Sequence, residues 1–194
     1  MIKVVAFNGS PRKHGNTHQA LDAVLGPLQK AGIETELIQL GGQPLRGCVA
    51  CYACAKEKDR HCHGVRDDIL NDCIDRMVGA QGILLGSPTY FSNVTSEMKA
   101  FIDRAGLVAK MNDDMFRRKV GAAVVVARRA GATDAFSAIN YFFLINQMIV
   151  PGSRYWNIAI GRDPGDIQKD EEGLATLSTL GENMAWLLKR LYGP

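Results

Sequence analysis

Two hydrophobic patterns alternate along this chain. Residues 2–8, 33–40, 82–87, 120–127 and 155–160 are short runs of apolar and β-branched side chains, the pattern of strands buried in a parallel sheet. Between and after them, residues 17–31, 68–77, 94–107, 133–148 and 172–191 repeat their apolar positions at helical spacing. In the last of these, Leu174, Leu177, Met184, Leu187 and Leu191 share one face. The alternation predicts a doubly wound α/β sandwich: three layers around a five-stranded parallel sheet. Residues 41–66 interrupt the rhythm with a Gly-, Cys- and charge-rich stretch longer than an ordinary connection, which marks a functional insert within a single domain spanning 1–194. No internal repeat, linker or low-complexity segment accompanies it.

Composition narrows the reading. With 194 residues, 46% of them hydrophobic and 22% charged, the chain can bury one substantial core and does not have a disordered character. A net charge of +3 with scattered Lys and Arg makes no case for nucleic acid, and any bound anion is expected to be small. No apolar run reaches the roughly 18–20 residues needed to span a bilayer, and the first residues lack a signal-peptide pattern. The expectation is a cytoplasmic protein with no membrane partner.

Candidate chemistry begins directly behind the first strand, in GSPRKHGNTHQA at residues 9–20. Gly9 and Gly15 permit tight turns, and Asn16 or Thr17 can cap the next helix, whose first N–H groups attract an anion. Ser10 and Thr17 add hydroxyl donors and Arg12 adds a cation. A Walker loop needs Gly-Lys-Ser/Thr where this chain has Gly15-Asn16-Thr17, and the dinucleotide fingerprint G-x-G-x-x-G is absent. A compact terminal phosphate remains, with flavin mononucleotide (FMN) as the leading ligand. The alternative is a helix-capping turn that binds nothing.

A second loop follows the third strand in GSPTYFSNVTSEMKAFIDRAG, where Pro88 stiffens a turn and Tyr90 and Phe91 offer aromatic surface for a flat heterocycle. Asn93 is the expected cap of the following helix, with Val94, Met98, Phe101, Ile102 and Ala105 as its inward stripe. Alternatively the two aromatics are ordinary core or interface residues.

Four of the five cysteines, Cys48, Cys51, Cys54 and Cys62, form a C-x2-C-x2-C-x7-C arrangement. Thiolates at such spacing can converge on one centre and supply the four ligands of a [4Fe–4S] cluster. Structural zinc with His61 or His63 as substitutes, or redox-active disulfides, would use the same side chains. Cys73, at helical spacing between Ile69 and Met77, is expected to be a small buried core residue. Asp67 and Asp68 read as caps at a helix start rather than as a catalytic pair. His14 and His18 read as solvated loop residues, Trp156 and Trp186 as packing. The segment AFSAINYFFLINQMIV is apolar almost all round, which suggests a subunit interface.

Taken together, GSPRKHGNT, the cysteines followed by Asp67 and Asp68, and ILLGSPTYFSNVTSEMKAFIDR resemble the flavodoxin-like NAD(P)H-dependent FMN reductase superfamily, and within it the iron–sulfur flavoproteins, along nearly the whole chain. IGRDPGDIQKDEEGLATLSTLGENMA resembles the C-terminal region of that branch. The resemblance implies a flavodoxin-like fold with strand order 2-1-3-4-5, noncovalent FMN and a homodimer or homotetramer. It implies phosphate contacts from Ser10, Arg12, Asn16 and Thr17, and contacts to the ring and ribityl chain from Pro88, Thr89, Tyr90 and Phe91, with Asn93 beside them. A third loop at 128–132 would face the flavin, although ARRAGA departs from the Gly-rich pattern common there. The last cysteine gap is also longer than is usual in the branch. No acid–base side chain is required, because the cofactors carry the chemistry. Two functions fit: an electron carrier between a reduced donor (ferredoxin or NAD(P)H) and an acceptor, or an NAD(P)H-dependent FMN or quinone reductase without a cluster. A zinc module that has lost its flavin ranks below both.

Overall fold

In a computed structural model, which describes residues 1–193, five parallel strands form one sheet in the order β2-β1-β3-β4-β5. The strands are β1 (Lys3–Asn8), β2 (Glu34–Gln39), β3 (Gly82–Pro88), β4 (Val120–Ala127) and β5 (Ile158–Ile160). The helices are α1 (Asn16–Lys30), α2 (Ala53–Glu57), α3 (Leu70–Gly79), α4 (Ser96–Met111), α5 (Ala132–Ile145) and α6 (Glu171–Tyr192), with a 3-10 turn at Asp166–Lys169. The parallel register is uninterrupted from Lys3↔Glu34 to Asn8↔Gln39 on one side of β1 and from Val4↔Gly82 to Asn8↔Gly86 on the other.

The central strands are apolar on both faces because both are covered, and the faces still separate by period two. Val4 and Ala6 of β1 pack with Leu21, Val24 and Leu28 of α1 and with Leu177, Leu180 and Met184 of α6. Val5 and Phe7 point the other way, into a core with Ile74 and Met77 of α3, Phe101 of α4 and Phe143 of α5. Phe7 and Phe101 meet with ring centroids 4.8 Å apart, and each fully buried side chain of this size contributes roughly 1.5–3 kcal/mol through its burial. Cys73 is buried in the same core, and its thiol is pushed up to about 12, first by burial.

Several boundaries differ from the sequence expectation. The fifth strand keeps only Ile158–Ile160, because the Ser153 hydroxyl sits 2.6 Å from both the Tyr155 carbonyl and the Asn157 amide oxygen and curls the preceding chain. Helix α5 stops at Ile145, where the Asn146 side chain donates to the Phe142 carbonyl and Gln147 takes a left-handed backbone. That exit lets Ile149 bridge to Val120 beside β4. Trp156 and Trp186 do not pack inside: they are exposed, Trp186 beneath the Arg190 guanidinium at 6.0 Å. Among the described residues no helix is long and apolar enough to cross a membrane.

Candidate functional site

The loops after β1, β3, β4 and β5 gather at the carboxyl edge of the sheet, where open α/β folds bind ligands. They enclose a cavity of about 360 Å³ whose walls include Ser10, Arg12, Asn16, Thr17, Pro88, Thr89 and Tyr90. Arg128, Arg162 and Asp163 complete its polar rim, from the loops after β4 and β5.

The first loop is shaped from below by two buried or half-buried amides. Fully buried Asn8 accepts the Ser10 N–H at 3.0 Å and donates to Gln39 at 2.8 Å, while Gln39 donates to the Ser10 carbonyl at 2.6 Å. A side chain at Gly41 would run into the Ser10 backbone, so β2 exits through glycine. The Ser10 oxygen accepts the Arg12 N–H at 3.2 Å, which leaves its own hydrogen free to donate.

Neither Asn16 nor Thr17 caps α1. Gly15 occupies the cap position and no side chain satisfies the first turn, whose N–H groups therefore remain available to an anion. Asn16 is spent elsewhere: it donates to the Asp163 carbonyl at 2.8 Å and accepts from the Gly165 N–H at 2.9 Å. It ties the β5 loop to the phosphate loop, and Arg12 adds a bond to the Arg162 carbonyl at 3.1 Å. This fourth wall was missed in the sequence, although GRDPGD behind a strand was its signal.

In the second loop, Tyr90 and Asn93 exchange two backbone bonds of 2.8 and 3.0 Å around Phe91 and Ser92, both left-handed. The turn throws Phe91 fully into solvent, so Phe91 and Asn93 do not line the cavity that holds the other seven residues. Asn93 is not the cap of α4 either. Thr95 is, accepting the Met98 N–H at 3.4 Å. In the third loop Gly131 packs against Ser92 with a left-handed backbone, and Arg128 reaches the rim. The buried Thr89 hydroxyl oxygen has no hydrogen-bond partner. An orphan donor, an uncapped helix turn and rim cations suit a phosphate-bearing ligand with hydroxyls.

A second, smaller cavity of about 20 Å³ lies in the insert, and Cys48, Cys51, Cys54 and Cys62 all line it, with His63 and Arg104. Burial first, and then the neighbouring Cys62, Cys51 and Cys48, push the Cys54 thiol up. Ala50 and Tyr52, on either side of Cys51, are both left-handed, a strain of order 1–3 kcal/mol per residue. A side chain at Gly64 would meet Cys51 Sγ at 2.8 Å. Among the described residues no three His, Cys, Asp or Glu side chains stand in a metal-ligating group, yet four thiols on one cavity are the donor set of a sulfur-ligated centre.

Ile69 takes the cap position of α3, yet Asp68 still accepts the Leu70 N–H at 3.2 Å at the helix start while forming a buried ion pair with Arg104; Asp67 does not cap and pairs with Arg46. Burial works against the Arg104 charge, but the hydrogen bonds it donates to Asp68 and Cys62 outweigh that and hold its pKa above the ordinary value. His61 and His63 face carboxylates, Asp75 and Asp59, each at 2.9 Å. His14 is exposed, whereas His18 is half-buried beside Asp22 at 3.3 Å.

The comparisons agree with this architecture. The sequence model of the NADPH-dependent FMN reductase family matches residues 2–163. An iron-sulfur flavoprotein of Methanocaldococcus jannaschii is 36% identical over 97% of this chain and 98% of its own length. An iron-sulfur flavoprotein of Methanosarcina thermophila is 30% identical over 97% and 96%. Among solved structures, an NAD(P)H:quinone oxidoreductase from Methanothermobacter marburgensis superposes with a TM-score of 0.69 at 15% identity, covering 94% of this chain and 96% of that one. A flavodoxin from the domain Archaea gives 0.62 at 18% identity over 97% and 99%. With this sheet order, this edge cavity and these matches, the chain belongs to the NADPH-dependent FMN reductase family, flavodoxin-like FMN-dependent oxidoreductases, within its iron–sulfur flavoprotein branch.

Proposed function

We propose that this chain is a cytoplasmic iron–sulfur flavoprotein that passes electrons from a reduced donor, ferredoxin or NAD(P)H, to an acceptor, with FMN in the edge cavity and a [4Fe–4S] cluster on Cys48, Cys51, Cys54 and Cys62. The observation that carries the reading is the convergence of all four thiols on one cavity of the domain whose sheet edge forms the flavin-sized one. When bound, the two groups supply hydride and single-electron chemistry. The protein holds and orients them. Ser10, Thr17, Arg12 and the open first turn of α1 hold the phosphate, while Asn16 fixes the wall behind it. Pro88, Thr89 and Tyr90 flank the ring and ribityl chain, and Phe91 and Asn93 stand at the outer turn.

A second reading, an NAD(P)H-dependent FMN or quinone reductase without a cluster, draws on the absence of a closed ligating group among the described residues. Anaerobic purification separates the two: roughly four irons per chain with flavin absorption bands support the carrier, and flavin without iron supports the reductase. Cys51→Ser should remove iron and leave FMN bound, and unchanged iron content would reject the ligand set. A colourless protein that takes up no FMN would overturn both.

The chain is further proposed to assemble as a homodimer or homotetramer through α5. Tyr141 and Leu144 are exposed there, beside Tyr155 and Trp156, along an apolar groove of about 590 Å³.

A further inference from the structure

Among the described residues Arg104 is the largest fully buried side chain, and every arm of its guanidinium is engaged. Nε and Nη2 each donate to Cys62 Sγ at 3.4 Å. Nη2 also donates to the Val65 carbonyl at 2.8 Å, and Nη1 to the Arg46 carbonyl at 3.2 Å. Asp68 supplies the counter-charge from a side chain only 2% exposed. These acceptors come from both ends of the cysteine insert, residue 46 on one side and residues 62–68 on the other. One side chain from α4 therefore closes the insert around the sulfur cavity.

Stability alone does not explain this choice. Burying an ion pair removes two charges from water, and apolar residues of similar volume commonly fill such a site at no loss of stability. What an apolar residue cannot do is aim two N–H groups and a cation at a sulfur. Hydrogen bonds to ligating sulfurs and nearby positive charge favour the more negative, reduced form of a sulfur-ligated centre. We propose that Arg104 is a positioning residue that holds Cys62 at the cavity and raises the reduction potential of the centre the four sulfurs carry. This rests on the cluster reading above.

The test compares the iron-loaded full-length protein with Arg104→Lys and with the double variant Asp68→Asn/Arg104→Gln, which leaves no buried carboxylate unpaired. Iron per chain, FMN affinity and the reduction potential of the cluster, titrated by electron paramagnetic resonance, are the readouts. The potential should fall in the double variant and fall less in Arg104→Lys, whose ammonium keeps the charge and loses the planar fork. FMN affinity should stay unchanged. Iron-loaded variants whose potential and resonance spectrum equal those of the parent would overturn the role of Arg104 while leaving the cluster in place. Should the double variant not fold, an unchanged potential in Arg104→Lys has the same force. A parent protein that binds FMN without iron would remove the cluster reading and this inference together.

Discussion

Thr95 donates its hydroxyl to the Gly9 carbonyl at 2.8 Å while its oxygen accepts the Met98 N–H, so one side chain joins the phosphate loop to the cap of α4. Its own N–H is held by the Ser87 hydroxyl at 3.1 Å. The two loops that flank the flavin-sized cavity are thereby set in register across β1 and β3. Helix α4 runs on from this junction to Arg104, about 13 Å along its axis, and links both cavities through one rigid element.

Replacing Thr95 with Val removes both the cap and the bridge, and should destabilise the fold by about 1–3 kcal/mol. Urea denaturation reads the loss, and Thr95→Ser should recover most of it. An unchanged midpoint in the Val variant would show that the bridge contributes nothing.

Thr17 is buried in the cavity wall next to the uncapped helix turn. Thr17→Val should weaken FMN binding by about 1–3 kcal/mol, because a hydroxyl on a charged phosphate is lost without loss of shape. Fluorescence titration of the apoprotein measures it, and unaltered affinity would place the phosphate elsewhere.

Two glycines should respond in opposite senses. Gly41→Ala pushes a methyl into the Ser10 backbone and should cost about 1–3 kcal/mol of stability along with FMN affinity. Gly79, in the last turn of α3, has open space around the added atom and no proline after it, so Gly79→Ala should stabilise by about 0.5–1 kcal/mol. Thermal melting of the two variants decides both signs.

Cysteine reactivity should divide by environment. The nucleophile is the thiolate, and a Cys73 pKa raised to about 12 keeps that thiol protonated until the solution becomes strongly alkaline. In reduced, metal-free protein at pH 8, iodoacetamide should label exposed Cys48 and Cys51 and spare Cys73 until the chain unfolds. Peptide mass spectrometry locates the label, and early modification of Cys73 would contradict its place in the core.

The α5 groove makes a prediction about assembly. Light scattering at micromolar concentration should find a dimer or tetramer, and Leu144→Glu, on an exposed position of the groove, should shift it toward the monomer. A monodisperse parent monomer would remove the interface.

The sheet was legible because strands covered on both faces must be apolar throughout, as β1, β3 and β4 are, while the covering helices must each keep an apolar stripe. The phosphate loop was legible because its glycines and hydroxyls sit within a dozen residues of one another. Boundaries such as those of β5 and α5 were not, because Ser153 and Asn146 set them through local bonds that leave no mark on hydrophobic periodicity.

Residue types and spacing thus determined the α/β architecture, the likeness to FMN-dependent reductases and the four-cysteine set. Tertiary structure decided how those residues are used. Asn16 turned from a cap into a strut to the β5 loop, Asn93 yielded the cap of α4 to Thr95, and Asp68 kept its bond at the helix start but took Arg104 as its counter-charge. The physical reason is the same in each case. A polar side chain bonds to whichever partner the packing of distant segments brings within about 3 Å, and across a sequence separation of 147 from Asn16 to Asp163, or of 36 from Asp68 to Arg104, the chain carries no local trace of that meeting.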